Sequence, residues 1–308
     1  MSKVKVTVAS LESLLVDPQP NLERVIKACE QGHEEGARIV FLPELMLTGH
    51  GGHPKMIENA QPVPDGPLCE AMLQISERLQ ICICVGIAEK TRSNVYNSQI
   101  VVDGGVYMGL QRKIYLSMDE YCFFAPGQTI ELFDLGDIRF GISICYDNCF
   151  PEMALIHALN KVDLILSPHA GRVGVWPDPL TDEFRVQTIE NQQKIWRKIH
   201  ITRAFDHNVY VLLNNAVGPS TTGLKELDEY QTDTVTAADP KDVVANHAGT
   251  VMGVDPAGEV FLKTSATDFV DEIVTVELDL DKRVVNHRQS QNRQPHLLLE
   301  NIHASVSR

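Results

Sequence analysis

Apolar and polar positions alternate from the start of the chain. Val4–Ala9 has the short apolar-rich pattern of a strand, and Leu22, Val25, Ile26 and Cys29 then recur at helical spacing up to Gly36. Ile39–Leu42 is a continuous apolar run stopped by Pro43, as in a strand buried on both faces. The same reading predicts helices over Pro67–Leu79, Pro151–Asn160 and about Asp182–His207. Strands are expected over Ile81–Ala88, Val95–Val102, Gly105–Lys113, Ile138–Cys145, Asp163–Ser167, Val209–Asn214, Val251–Val254, Glu259–Leu262 and Ile273–Leu278. Asp103-Gly104-Gly105 reads as a hairpin turn, and Pro256-Ala257-Gly258 as another. Gly218–His247 is polar and without period, a surface excursion or a mobile loop, and a polar tail begins at Asp281. Strand and helix signals that alternate in this way place the chain in the α/β class.

One pattern repeats. Arg38–Glu44 and Asp163–His169 each follow a helix, run through a buried strand and end in Pro plus an ionisable residue. Ligands gather at the carboxyl ends of strands in open α/β sheets, so the echo nominates Glu44 and His169 as facing a common site.

Composition narrows the function classes. The chain has 308 residues, enough for one large α/β domain or two smaller ones, and 44% of them are hydrophobic. Its 27 basic and 41 acidic residues give a formal net charge of −14, which argues against a nucleic-acid or anionic-membrane surface. No apolar run approaches the roughly 18 residues of a membrane helix. Seven cysteines, an odd count with no secretion signal, read as reduced thiols in the cytoplasm. Cys82 and Cys84 share one face of a strand and read as core thiols. His50 and His53 have a spacing that suits a metal but lack an obvious third ligand, so no metal or other cofactor is expected.

Three residues at strand ends can carry chemistry together: Glu44, Lys113 and Cys145. A thiol attacks a carbonyl or nitrile carbon when it is deprotonated or has a base beside it. Glu44 is the candidate base. Lys113 is a fixed positive charge for the thiolate and the developing oxyanion. The backbone N–H of Tyr146 is a second oxyanion donor, because Cys145 lies at a sharp turn into the helix from Pro151. Taken singly, each of the three has an ordinary structural reading: a core thiol, a solvated carboxylate, a solvated amine.

Phe41-Leu-Pro-Glu-Leu45, Arg112-Lys-Ile-Tyr-Leu116 and Ile144-Cys-Tyr-Asp-Asn-Cys-Phe-Pro-Glu152 resemble the three signature blocks of the nitrilase superfamily, the carbon–nitrogen hydrolases. Asn94-Val-Tyr-Asn97 resembles the strand before the family's Lys block. Arg203-Ala-Phe-Asp-His-Asn208 with Asn214-Asn-Ala-Val-Gly218, and Gly249-Thr-Val-Met-Gly253 through Glu277-Leu-Asp-Leu280, resemble its later segments. The resemblance implies a four-layer αββα sandwich over a single domain at 1–280, with the 281–308 tail packing at a subunit interface. It implies a Glu–Lys–Cys triad at Glu44, Lys113 and Cys145, with Glu120 as an aid to Lys113 and to substrate positioning. It also implies a homodimer or higher homo-oligomer.

Departures from the family pattern touch substrate choice. Asn148 and Cys149 stand where amidase-like members often carry other residues, Asp206 stands where Glu is common, and only six residues separate Lys113 from Glu120. Cys149 is a pocket wall or a buried thiol. Arg172, just past His169, receives a substrate carboxylate or is a surface residue. The Gly171–Arg203 stretch, with Trp176 and Trp196, is expected to cover the site. Cys-Tyr-Asp resembles the amidase and carbamoylase branches more than true nitrilases. The leading expectation is a cofactor-free thiol hydrolase acting on a linear amide or N-carbamoyl compound. A nitrilase, and a non-catalytic binding or scaffold protein that kept the fold, are the alternatives.

Overall fold

The computed structural model describes residues 3–15, 17–173, 182–220, 245–264 and 270–282, with positions 300, 303 and 305. Trp176, most of the Gly218–His247 stretch and nearly all of the 281–308 tail lie outside the described residues.

Two six-stranded sheets stack face to face. The first has the order β15-β1-β2-β3-β4-β5, built from β1 (Lys3–Ser10), β2 (Ile39–Phe41), β3 (Cys82–Lys90), β4 (Val95–Asp103), β5 (Val106–Arg112) and β15 (Glu272–Asp279). The second has the order β14-β13-β10-β8-β7-β6, built from β6 (Leu132–Asp134), β7 (Arg139–Ile142), β8 (Leu164–His169), β10 (Tyr210–Asn215), β13 (Val251–Val254) and β14 (Val260–Lys263). Each sheet has three parallel strands at its heart, and the two echoing segments supply the central ones, β2 between β1 and β3, and β8 between β7 and β10. A small third sheet joins β9 (Arg172–Val173), β11 (Val217–Ser220) and β12 (Ala245–Ala248) in the order β11-β12-β9.

Strand parity sorts the side chains into layers. Val4, Val6, Val8, Phe41, Cys82 and Cys84 meet Phe140, Ile142, Leu164, Leu166 and Leu212 between the sheets. The intervening residues Ile83, Val85 and Ile87 face α1 (Pro18–Glu34) and α3 (Pro67–Leu79) through Val25, Cys29, Met72 and Leu79. On the opposite flank Ile165, Val211 and Leu213 face α4 (Pro151–Leu159) and α5 (Asp182–His207) through Ala154, Ile189, Trp196 and Ala204. The result is the expected αββα sandwich. Cys82 and Cys84 are core thiols, and burial pushes Cys84 up to about 12.

Two local differences from the sequence pattern matter for the site. The strand expected to reach Cys145 stops at Ile142, and Cys145–Cys149 forms a short 3-10 helix. The Asp147 side chain accepts from the backbone N–H of Ile144 (3.0 Å), which draws the chain out of the sheet. The β9–β11–β12 sheet has strands too short to leave a periodic signal. A short helix, α2 (Lys55–Glu58), was likewise invisible in the pattern.

Candidate active site

Glu44 leaves the carboxyl end of β2 on a loop pressed hard against β3. A Cβ on Gly86 would come within 2.1 Å of the Leu45 backbone nitrogen, so this approach requires glycine. The loop is fixed by Leu47 N–H to the Gly86 carbonyl (2.9 Å) and Gly86 N–H to the Pro43 carbonyl (3.2 Å). Lys113 follows β5, its backbone held by the Asn97 carbonyl (2.8 Å) and by the N–H of Gly127 (2.7 Å). Just before it, Arg112 makes a two-pronged contact with the buried Glu89 carboxylate (2.8 and 2.6 Å), which anchors the end of the strand.

These elements bring Glu44, Lys113 and Glu120 together, all fully buried. The Lys113 ammonium donates to Glu44 Oε1 at 2.7 Å and to Glu120 Oε1 at 2.9 Å. Asn97 Nδ2 donates to the same two oxygens, at 2.8 and 3.0 Å. Glu44 Oε2 accepts the backbone N–H of Ala170 at 2.7 Å, from the end of β8 in the other sheet. Glu120 Oε2 accepts from the backbone and hydroxyl of Ser117, both at 2.7 Å. Burial works to raise the Glu120 pKa. The Lys113 and His50 charges and these hydrogen bonds outweigh it and hold the carboxyl at about 2. For Lys113 burial works to lower the pKa, and the two carboxylates carry it well above its ordinary value. Glu120 is therefore ionised beside a charged Lys113.

Cys145 opens the 3-10 helix with φ of +47°, left-handed geometry that is unusual for a residue with a side chain. Asp147 pins the turn: besides Ile144, it accepts the backbone N–H groups of Ile114 (3.1 Å) and Tyr115 (2.8 Å), tying the Cys145 turn to the segment after Lys113. Asn148 Nδ2 closes the turn on the carbonyls of Ser143 (2.8 Å) and Cys145 (3.0 Å). Burial pushes the Cys145 thiol well above its ordinary pKa, and Glu44 adds to this as a negative neighbour and hydrogen-bond acceptor, against the pull of Lys113. The resting group is a thiol beside a carboxylate rather than a preformed thiolate. The first N–H groups of a helix have no acceptor inside it, and that of Tyr146 is one of these.

The remaining sequence candidates are placed differently. The Tyr146 side chain is 41% exposed and meets Phe150 edge-on at 5.5 Å, while Phe150 stacks on Tyr115 at 3.7 Å. Cys149 is exposed at the end of the 3-10 helix. Asn148 is buried, and its amide is engaged with the backbone. The His169 ring lies on the helix side of its sheet, against Trp196, and bonds Ser167 Oγ at 2.8 Å. The next residue, Ala170, reaches Glu44. Arg172 is half-buried at the start of β9, opposite His247.

Of the two histidines with metal-like spacing, His53 uses Nδ1 to accept the Lys55 N–H (3.0 Å). His50 is buried with Glu44 and Glu120, their ligand-type atoms all within 4.8 Å of one another. Both carboxylates there already bind the Lys113 ammonium, which supplies the positive charge a metal would bring. Sequence reasoning overlooked Asn97, Ala170, Ser117 and His50 as neighbours of the carboxylates. Asn97 stands within the quoted Asn94–Asn97 block, which was the available signal for it.

Among the described residues no helix is long and apolar enough to cross a membrane. Residues 5–284 match the model of the family described as carbon–nitrogen hydrolase. A protein of Pyrococcus abyssi named nitrilase is 34% identical over 168 residues, 54% of this chain and 64% of its own length, so the alignment spans less than two thirds of that relative. An N-carbamoylputrescine amidase of Solanum lycopersicum is 25% identical over 287 residues, covering 90% of this chain and 87% of its own. The crystal structure of a carbon–nitrogen hydrolase from Helicobacter pylori superposes with a TM-score of 0.75 at 21% identity, covering 96% of each chain.

Proposed function

The chain belongs to the carbon–nitrogen hydrolases of the nitrilase superfamily, and from that membership we propose that it cleaves a linear amide or N-carbamoyl compound through an acyl-enzyme on Cys145. The observation that carries this reading is the half-buried Cys145 thiol beside Glu44, whose carboxylate oxygens are held by the Lys113 ammonium, Asn97 and the Ala170 N–H.

A thiol held in its protonated form needs a base at the moment of attack. Glu44 takes the proton as Sγ bonds to the carbonyl carbon. Negative charge gathers on the carbonyl oxygen, where Lys113 and the Tyr146 N–H, already held in place, oppose it. As the tetrahedral adduct collapses, the protonated Glu44 returns its proton to the departing nitrogen, and ammonia or an amine leaves. Water then attacks the thioester, giving its proton to Glu44, and the second collapse returns that proton to sulfur and frees the acid. Glu120 holds no proton at the operating pH. Its role is to keep Lys113 charged and aimed. Residues 1–280 act as one hydrolase domain in this reading, and the substrate is a small molecule.

Cys-Tyr-Asp and the carbamoylputrescine-amidase relative favour amides and carbamoyl compounds. A small nitrile is the second reading, favoured by the relative named nitrilase. An ammonia-release screen of small amides, N-carbamoyl amino acids and nitriles tests both. Turnover of an amide or carbamoyl compound supports the first, and turnover confined to nitriles supports the second. No turnover, with Cys145 labelled by iodoacetamide no faster than the other six cysteines, overturns both in favour of a non-catalytic protein.

A further inference from the structure

Glu44 Oε2 is held from across the sandwich. Its donor is the Ala170 N–H at 2.7 Å, while Oε1 is taken by Lys113 and Asn97. Whatever fixes Ala170 therefore fixes the second oxygen of the base. Ala170 is buried just beyond β8, and its own carbonyl contacts His247 Nδ1 at 3.1 Å. A carbonyl oxygen accepts, so Nδ1 carries the proton and the tautomer is settled by this contact. Burial, with His50 and Arg172 as like-charged neighbours, holds the His247 pKa well below its ordinary value, so the ring is neutral.

His247 belongs to β12, the central strand of the small third sheet, and is fully buried. Its ring packs edge-on against His50 at 5.8 Å and 78°, and His50 in turn lies against Glu44 and Glu120. We propose that His247 is a positioning residue for Glu44, holding the Ala170 backbone so that its N–H aligns the carboxylate for proton transfer from Cys145.

The segment has other anchors. Gly171 N–H donates to Asn215 Oδ1 (2.6 Å), Ala216 N–H to the His169 carbonyl (3.0 Å), and Ala248 N–H to the Gly171 carbonyl (3.3 Å). These hold the residues on either side of Ala170. The Ala170 N–H lies in the peptide whose carbonyl, that of His169, accepts from Ala216, and the Ala170 carbonyl lies in the next peptide, whose N–H is held by Asn215. His247 is the second anchor of that next peptide, and its loss lets it pivot at Ala170 and shifts the N–H that Glu44 accepts.

The inference rests on Glu44 as the base, and the test separates the two. Iodoacetamide alkylation of Cys145 needs no substrate: sulfur displaces iodide as the thiol proton passes to Glu44. The rate is read by peptide mass spectrometry on the full chain and on Glu44→Gln, His247→Leu, His247→Asn and His247→Gln. The Asn amide nitrogen sits near the position of Nδ1, whereas the Gln amide extends to that of Nε2. Misplacing a reacting group by a fraction of an ångström costs about tenfold or more, so His247→Leu and His247→Gln are expected to label about tenfold slower. His247→Asn is expected to stay within about threefold of the unmodified chain. Should the Leu variant not fold, the contrast between Asn and Gln decides. Labelling of the folded Leu and Gln variants at the unmodified rate, or of Asn as slowly as Gln, overturns the proposal. A Glu44→Gln protein that labels as fast as the unmodified chain overturns the base itself, and this inference with it. A slow Glu44→Gln with unaffected His247 variants overturns the positioning role alone.

Discussion

Around Glu44 and Glu120 all four carboxylate oxygens have donors from three separate parts of the chain. A few residues away, Tyr146 and Cys149 turn outward, and Arg172 is half-buried on a two-residue strand. The first region is over-determined: moving one group breaks contacts to several others. The second is held at the backbone and left adjustable at the side chains. Chemistry that must place a proton within hydrogen-bond reach needs the first kind of construction. The second kind suits selection among substrates that share a carbonyl and a nitrogen, which is the role we propose for it.

The contrast is broken most severely by removing the atom both regions serve. Cys145→Ala is expected to lower turnover by about 10⁴-fold or more, because no acyl-enzyme can form. Its thermal midpoint should stay close to that of the unmodified chain, since Asp147 and Asn148 still pin the turn. Steady-state assay beside a melting curve checks both halves, and near-normal hydrolysis would sink the mechanism.

Next come the residues of the saturated cluster. Glu44→Gln and Lys113→Ala are each expected to cost about 10³-fold in kcat, and the double variant little more than either one, because the two serve a single step. They should differ in stability. Glu44→Gln keeps a hydrogen-bonding side chain of the same shape. Lys113→Ala leaves two buried carboxylates without their cation, which costs about 3–5 kcal/mol. Urea unfolding of the two variants measures the difference, and equal stability would show that the ion cluster is not held as tightly as its contacts indicate.

This saturated region is also where the sequence was both most and least informative. Glu44, Lys113 and Cys145 stood out because a base, a fixed cation and a thiol at strand ends make sense only together. Helix and strand limits such as Pro67–Leu79 and Val251–Val254 followed directly from apolar spacing and flanking Gly or Pro. The partners that complete the cluster were hidden. The Ala170 N–H has no side-chain signature, and Ser117 looks like any loop serine. His247 reaches the site through a strand of four residues, too short for periodicity. The end of β7 was misplaced because a side-chain bond from Asp147, rather than any apolar pattern, draws Cys145 out of the sheet.

Acid sharpens the comparison more gently. The Glu120 carboxyl is held at about 2, below an ordinary value of 4.5. A depressed carboxyl contributes stability that is complete above its unfolded pKa and is lost as pH falls through the interval toward its folded one. The loss here begins near 4.5 and continues toward 2, amounting to at most about 3 kcal/mol for this group. Urea midpoints taken from about pH 6 to about pH 3 should therefore fall more steeply for the unmodified chain than for Glu120→Gln. Parallel slopes would mean that Glu120 is not the group that feels the acid.

The smallest effect is expected on the adjustable side. Arg172 follows Gly171, whose N–H is clamped by Asn215 at 2.6 Å, so the start of β9 is fixed even though the Arg172 side chain is half-buried. The guanidinium bears on the site's surroundings, since it helps to keep His247 uncharged. A substrate carboxylate within its reach would gain a charge-assisted hydrogen bond, weakened by partial exposure to about 1 kcal/mol, or about fivefold in KM. A neutral substrate would gain nothing comparable. Arg172→Ala is therefore expected to raise KM for an acidic amide about fivefold over its effect on a neutral one, with kcat little changed for either. Paired Michaelis curves on one acidic and one neutral amide read this directly. An equal rise for both would mean that Arg172 shapes the backbone of the small sheet and does not meet the substrate. Loss of kcat for both would move it out of the adjustable region and into the positioning of Glu44, through its neighbour His247.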